Sequence, residues 1–433
     1  MEPLSFQGWG NGSLSNETWQ IRNGSSYWNY SSLKYNVQGD SFAASNINLG
    51  NLNNYLNGVY TDKLSDKWRV KAGLGFTHDR TNTDFDADKL SEIVFSAHQR
   101  FNLINEITNN ISIKYGEESS HYSFSKNYYQ DSTSMSYTNG FNDHTAAQYI
   151  ESEINIRNRV AIRMGVRTEY TSLQNDWNIS PRLSLTCQMA PGSQLSFAYG
   201  GFNQRPEDNY LIYAPQLKSE KATHYIVNYQ FQKDDRIFRI EMYRKNYNEL
   251  VKYESLYNAD PFSYTNEGKG YAQGLDVFWR DSKSIKNLDY WLSYSFIDTK
   301  RDYKNNFSEK TPYYVSPHTF NAVIKYQVEK ISTLIAVTYT YASCKDWYNT
   351  NIQTNEYIST PAYHDISLSV TKLFKVYHKM VAVFANANNV LGFNHVYGYN
   401  YSGLPDNQGN YQNYPIKPMT KRLFVVGFYL MFK

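Results

Sequence analysis

Nine histidines, 43 lysines and arginines and 40 aspartates and glutamates are the groups in this 433-residue sequence that could move protons, bind metals or hold ions. The histidines run from His78 to His395 with no i, i+2 or i, i+4 pair, so a metal site would have to form by convergence in three dimensions. Asp84, Asp86 and Asp88 open with the spacing of a calcium loop. Lys89 stands where such a loop needs Gly and Phe95 where it needs Glu, so the segment reads as a solvated acidic stretch. Cys187 and Cys344 are too few for a thiolate zinc site or a disulfide framework, and Cys187 shares an apolar face with Leu183 and Leu185. There is no Gly-x-Ser-x-Gly elbow, no His-Glu-x-x-His and no Gly-rich phosphate loop. Nothing selects a catalytic residue, a metal ligand or a cofactor, so the chain is not expected to be an enzyme. A formal charge of +3 leaves no basic footprint for nucleic acid.

Two sets of residues suggest surfaces instead. Arg159, Arg163 and Arg167 fall on one face of an extended segment, and Glu151 and Glu153 share a face just before it. A hairpin around 155–158 would set acids opposite bases, each cross-strand pair contributing roughly 0.2–1 kcal/mol. That row reads as a solute-guiding surface or as an ordinary solvated wall. The second set is aromatic. The chain has 41 Tyr, 23 Phe and 8 Trp. Trp347, Tyr348, Tyr397 and Tyr399 fall in long polar stretches where rings could stack on a ligand such as a sugar. The alternative is loop packing and the aromatic girdles of a membrane interface.

The elements that must position these residues are strands. Trp68, Val70, Ala72, Leu74 and Phe76 alternate with polar or small residues, and Leu183, Leu185, Cys187 and Met189 do the same. Phe424, Val426, Phe428, Leu430 and Phe432 make one wholly apolar face. The longest apolar stretch, about ten residues at 423–432, is far short of the ~20 of a membrane helix. Runs of about 9–14 residues match tilted transmembrane strands. Short turns are expected near 63–66, 103–108, 155–158, 190–193, 233–235, 282–287, 329–332 and 375–379, with another at Asn23-Gly24-Ser25. Longer connections near 81–90, 124–142, 171–176, 203–219, 251–267, 301–314, 343–358 and 392–418 alternate with them. Short turns on one side and long loops on the other mark an all-β, transmembrane antiparallel β-barrel of the Gram-negative outer membrane. The count is about 19 strands. Residues 1–14 read as a leading segment and 15–433 as the barrel. The N-terminus has no basic or apolar export region, and 19 is odd where such barrels are even, so N-terminal strands are expected to be absent.

Several stretches carry a resemblance: Ser180-Pro181-Arg182-Leu183-Ser184-Leu185, Ala190-Pro191-Gly192-Ser193, Tyr243-Arg244-Lys245-Asn246-Tyr247, Gly274-Leu275-Asp276-Val277-Phe278, Ser316-Pro317-His318-Thr319-Phe320-Asn321 and Asn388-Asn389-Val390-Leu391-Gly392. In their order and spacing they resemble the barrel of TonB-dependent outer-membrane receptors of the Bacteroidetes type. The resemblance implies a 22-strand barrel around an N-terminal plug domain, importing a glycan, siderophore, cobalamin or peptide with energy relayed by the TonB complex. No counterpart of the plug is visible. Arg159, Arg163 and Arg167 would then face the lumen or the plug. Phe424, Phe428 and Phe432 would lie on the strand read by the barrel-assembly machinery. Outer-membrane lipid and a surface lipoprotein complete the implied partners. Two other readings stand beside this one: a plugless porin-like diffusion channel, and a soluble all-β glycan-binding or adhesin protein.

Overall fold

The computed structural model describes residues 4–14, 17–36, 44–157, 159–254, 260, 263–305, 308–349, 351, 357–377, 379–402 and 405–431, with side chains from residue 48 onward apart from Tyr348, Tyr357 and Met431. In chain order the strands are β1 (Leu4–Leu14), β2 (Glu17–Asn36), β3 (Ala44–Lys63), β4 (Trp68–Phe85), β5 (Asp88–Thr108), β6 (Ile111–Gln130), β7 (Met135–Ile156), β8 (Val160–Thr171), β9 (Asp176–Ala190) and β10 (Ser193–Gln204). They continue as β11 (Glu220–Lys233), β12 (Arg236–Tyr253), β13 (Tyr264–Asp281), β14 (Leu288–Asp302), β15 (His318–Val328), β16 (Thr333–Ala342), β17 (Asp346–Tyr348), β18 (Tyr357–Ser359), β19 (Tyr363–Val376), β20 (Lys379–Asn388), β21 (Gly398–Tyr401), β22 (Asn413–Ile416) and β23 (Leu423–Met431). A four-residue helix, α1 (Asp208–Leu211), follows β10.

One 19-stranded sheet takes all but four strands; β17–β18 and β21–β22 are separate hairpins within long connections. Each strand of the large sheet pairs antiparallel with the next in the chain, as β8 does with β7 and β9. The 19 strands match the number expected from the alternation of turns.

The two faces differ as period-two patterning requires. On one, Leu74, Ile150, Val166, Leu183, Val227 and Met242 stand exposed, Met242 at 56%. Large aliphatic groups left open at this scale belong against lipid. The opposite face carries the charges. It has little apolar core of its own, because a wide barrel encloses polar space rather than packed side chains. Tight turns close one end. Asp234 and Asp235 both adopt left-handed φ (51° and 59°), the geometry of a two-residue hairpin whose twist matches the strands.

Four expectations are corrected. The connections near 81–90 and 124–142 are not long loops: β4 and β5 meet across a two-residue turn, and β6 and β7 across a short 3-10 turn at Asp131–Thr133. Both faces are wet above the membrane, so the apolar alternation fades while the backbone ladder continues through Asn82↔Ser91 and Tyr128↔Tyr137. Asn23-Gly24-Ser25 is not a turn, because β2 runs through it with β1 on one side and β3 on the other. The turn sought at 103–108 lies at 109–110, after β5. Residues 4–14, read as a leading segment, form β1 and pair with β2.

Candidate functional site

The charged face is densest across β4 to β9. The turn after β7 sets the register that puts Glu153 opposite Arg163, and their side chains meet at 2.6 Å. Arg167 sits opposite Tyr149 and reaches two acids, Glu118 on β6 and Glu169 on its own strand, each at 2.6 Å. Glu118 also takes Arg100 of β5 at 2.7 Å. Lys114 pairs with Glu151 at 3.4 Å, and Arg69 with Glu106. The result is a ladder of ions across five strands, each charge held by a neighbour.

Tyr149 is the hub. Its ring lies across Gly116, where a Cβ would overlap it, and its hydroxyl bonds to Asn102. The ammonium of Lys114 stands 4.9 Å from the ring centre, with Arg100 and Arg167 near 6 Å. Beside this hub lies a concavity of about 430 Å³ lined by Asn57, Lys71, Gly73, His98, Arg100, Glu118 and Arg167. Lys71 makes no ion pair among the described residues, so this hollow has a surplus of positive charge.

Arg159 is not on the ladder. It lies in the turn before β8, its N–H donating to the Ile156 carbonyl, and it lines a separate hollow with Gln188, Gln194 and Gln230. The expected row of three arginines is therefore two on the wall and one at its rim.

At the other end of the wall, residues 205–219 fold back over the sheet. Asp208 accepts from the Tyr122 hydroxyl at 2.6 Å, Asn209 from Lys126 at 2.9 Å, and the Ile212 carbonyl from Asn139 at 2.7 Å. The Arg205 guanidinium stacks on Tyr122 at 4.0 Å. Tyr210, Leu211, Ala214 and Leu217 bury themselves with Val251 and Tyr264 in an apolar cluster. Burial pushes the Tyr210 phenol well above its usual range. β8 to β11 are 12–15 residues long where β7 has 22 and β12 has 18. The loop thus fills the low stretch of rim between taller strands.

Of the four aromatic residues singled out in the sequence, Trp347 spends its indole N–H on the Tyr399 carbonyl at 2.8 Å and lays its ring over Gly398. Those contacts zip the 343–362 connection to the 389–422 connection. Tyr399 contributes its backbone there. Tyr397 is exposed and stacks on Tyr363. The Tyr348 side chain lies outside the described residues. Phe424 and Phe428 project from the exposed apolar face of β23 at 67% each, and Phe432 lies outside the described residues. Asp84, Asp86 and Asp88 do not converge: Asp88 instead accepts from the Asp131 N–H and the Tyr128 hydroxyl, which hold its carboxyl below the usual range. Sequence reasoning missed Tyr149, Glu118 and the 205–219 fold. Their partners lie 18 to 86 residues away, and only Gly116 hinted at a ring needing room.

A model of the family described as TonB dependent receptor-like, beta-barrel, matches residues 3–390. The chain belongs to this family. A search among curated protein sequences gives no match. Among solved structures, the barrel is similar to the outer membrane transporter YddB from Escherichia coli, at 13% identity and a TM-score of 0.74 over 98% of this chain and 68% of that one. The FrpB iron transporter from Neisseria meningitidis gives 10%, 0.75, 99% and 73%. The ferripyoverdine receptor of the outer membrane of Pseudomonas aeruginosa gives 10%, 0.73, 99% and 64%. At such identities the likeness is one of fold. This chain spans about two thirds of the length of those proteins. It is an outer-membrane β-barrel of a Gram-negative transport family, with the exposed apolar face against lipid and the charged face lining the lumen.

Proposed function

We propose that this barrel is the wall of an energy-coupled importer. A plug domain docks on the ion ladder of β4 to β8, and a ligand enters from the side of the long connections. The TonB complex supplies the work. The observation that carries this reading is the hollow at Gly73, where Lys71, which makes no ion pair among the described residues, adds positive charge beside Arg100, Arg167 and their shared Glu118 for an acidic group to meet. A wall meant only to be wet has no need of a concavity beside a rigid, ion-paired hub. The cargo is a scarce solute of the kind this family handles: a glycan, siderophore, cobalamin or peptide. Of the four aromatic residues singled out in the sequence, exposed Tyr397 is the one assigned here to meet it. The apolar face of β23 with Phe424 and Phe428 serves as the strand handed to the assembly machinery.

The test is a photo-crosslinking amino acid at Lys71 in intact outer membranes. Capture of a plug domain supports the importer. Large ion conductance that persists without TonB, with no plug captured, would make it a diffusion channel instead.

A further inference from the structure

The histidines are scattered in the sequence, yet the β6–β7 register sets two of them face to face. His121 on β6 lies directly opposite His144 on β7. Their ring centres are 4.5 Å apart and the planes are tilted by 35°. His144 is exposed and His121 half-buried. The Nδ1 of His121 is shielded from solvent and has no hydrogen-bond partner among the described residues.

Both rings belong to the outward face, with Ile111, Ile113 and Tyr115 below them on β6. That stripe turns polar at Glu117 and Ser119 before it reaches His121, so the pair stands above the lipid band, in contact with the external medium.

We propose that His121 and His144 form a two-imidazole clip for a divalent transition metal. Opposed positions on neighbouring strands have Cβ atoms about 4.5–5.5 Å apart, close enough for two imidazoles to reach one ion. The ladder hydrogen bonds fix the backbone of both residues, so little ordering remains to be done on binding. Neutral imidazole suits Zn²⁺, Cu²⁺ or Ni²⁺, whereas Ca²⁺ and Mg²⁺ take oxygen ligands. Among the described residues no third His, Cys, Asp or Glu joins them, so water fills the remaining positions. The site is peripheral to the lumen and independent of how transport works.

The full chain in detergent micelles is titrated with Cu²⁺ and read by electron paramagnetic resonance. The clip gives one equivalent with hyperfine structure from two nitrogens. His121→Ala and His144→Ala each leave one-nitrogen coordination and weaken binding at least about tenfold, the scale on which even a supporting residue of a metal site counts. His318→Ala leaves the signal intact. Circular dichroism of each variant confirms the β-fold, and His121→Asn and His144→Asn repeat the test with a more conservative shape. A two-nitrogen signal that survives in both single variants overturns the proposal. So does its absence in the folded parent chain, which would mean that the rings merely stack.

Discussion

The Tyr149 ring occupies the place where Gly116, on the neighbouring strand, would carry a side chain. Gly in a strand is normally a weak point, having no side chain to pack and more backbone entropy to lose. Here the gap is filled from β7, and the ring brings its hydroxyl to Asn102 and its face to three cations. Replacing Gly116 with Ala must push that ring out of place. G116A is expected to destabilise the folded barrel by about 1–3 kcal/mol, the scale of overpacking. Urea unfolding in micelles measures it, and Y149A, which vacates the space, should largely remove the added cost.

Glu118 is shared by Arg100 and Arg167. All three are partly exposed to the lumen, where water screens them, so the expected stability change for Glu118→Gln is about 1 kcal/mol or less. The electrostatic change is larger in consequence, because two cations lose their common acid. In planar bilayers, with the lumen unblocked, E118Q shifts the reversal potential toward anions. An unchanged potential would place these charges off the solute path.

At the turn after β13, Asp281 accepts from the Ser284 hydroxyl and from the N–H groups of Ser284 and Lys283, which hold its carboxyl at about 2 against an ordinary 3.8. The folded value lies below the unfolded one. The contribution is therefore complete above about 3.8 and is lost as pH falls toward about 2. The protection of the Lys283 and Ser284 amides, measured against their intrinsic exchange rates at each pH, should be lost over that window. In D281A it should already be lost at pH 6.

Adjacent residues of β23 should respond oppositely to charge. Val426 points outward at 76% exposure, while Val425 belongs to the other face. Val426→Arg is expected to cost about 2–4 kcal/mol if it lies near the bilayer midplane, less toward either interface. Val425→Arg should be tolerated. Folding yields into lipid vesicles compare the two.

Period-two patterning was readable wherever one face meets lipid, as at Leu183 and Leu185, and so were turns that force a reversal, such as 191–192. The Glu153–Arg163 pair was readable too, because a tight turn fixes its register. Glu118 and Arg167 were not, because they meet across an intervening strand where Tyr149 and Ala147 leave room. The extensions of β4 to β7 hid for a different reason: with water on both sides, nothing selects which residue faces where. His121 and His144 show the same limit, since neither is near the other in the chain.

The measurement that tests the account most directly uses two neighbours on β9. Ser184 belongs to the charged face, and Leu185 projects into lipid at 41% exposure. In a background with Cys187→Ser and Cys344→Ser, each is replaced by Cys in the intact outer membrane. A small charged thiol reagent should modify S184C and spare L185C, while a lipid-soluble one should do the reverse. Equal labelling of both by the charged reagent would contradict a barrel wall with one wet face and one face in lipid.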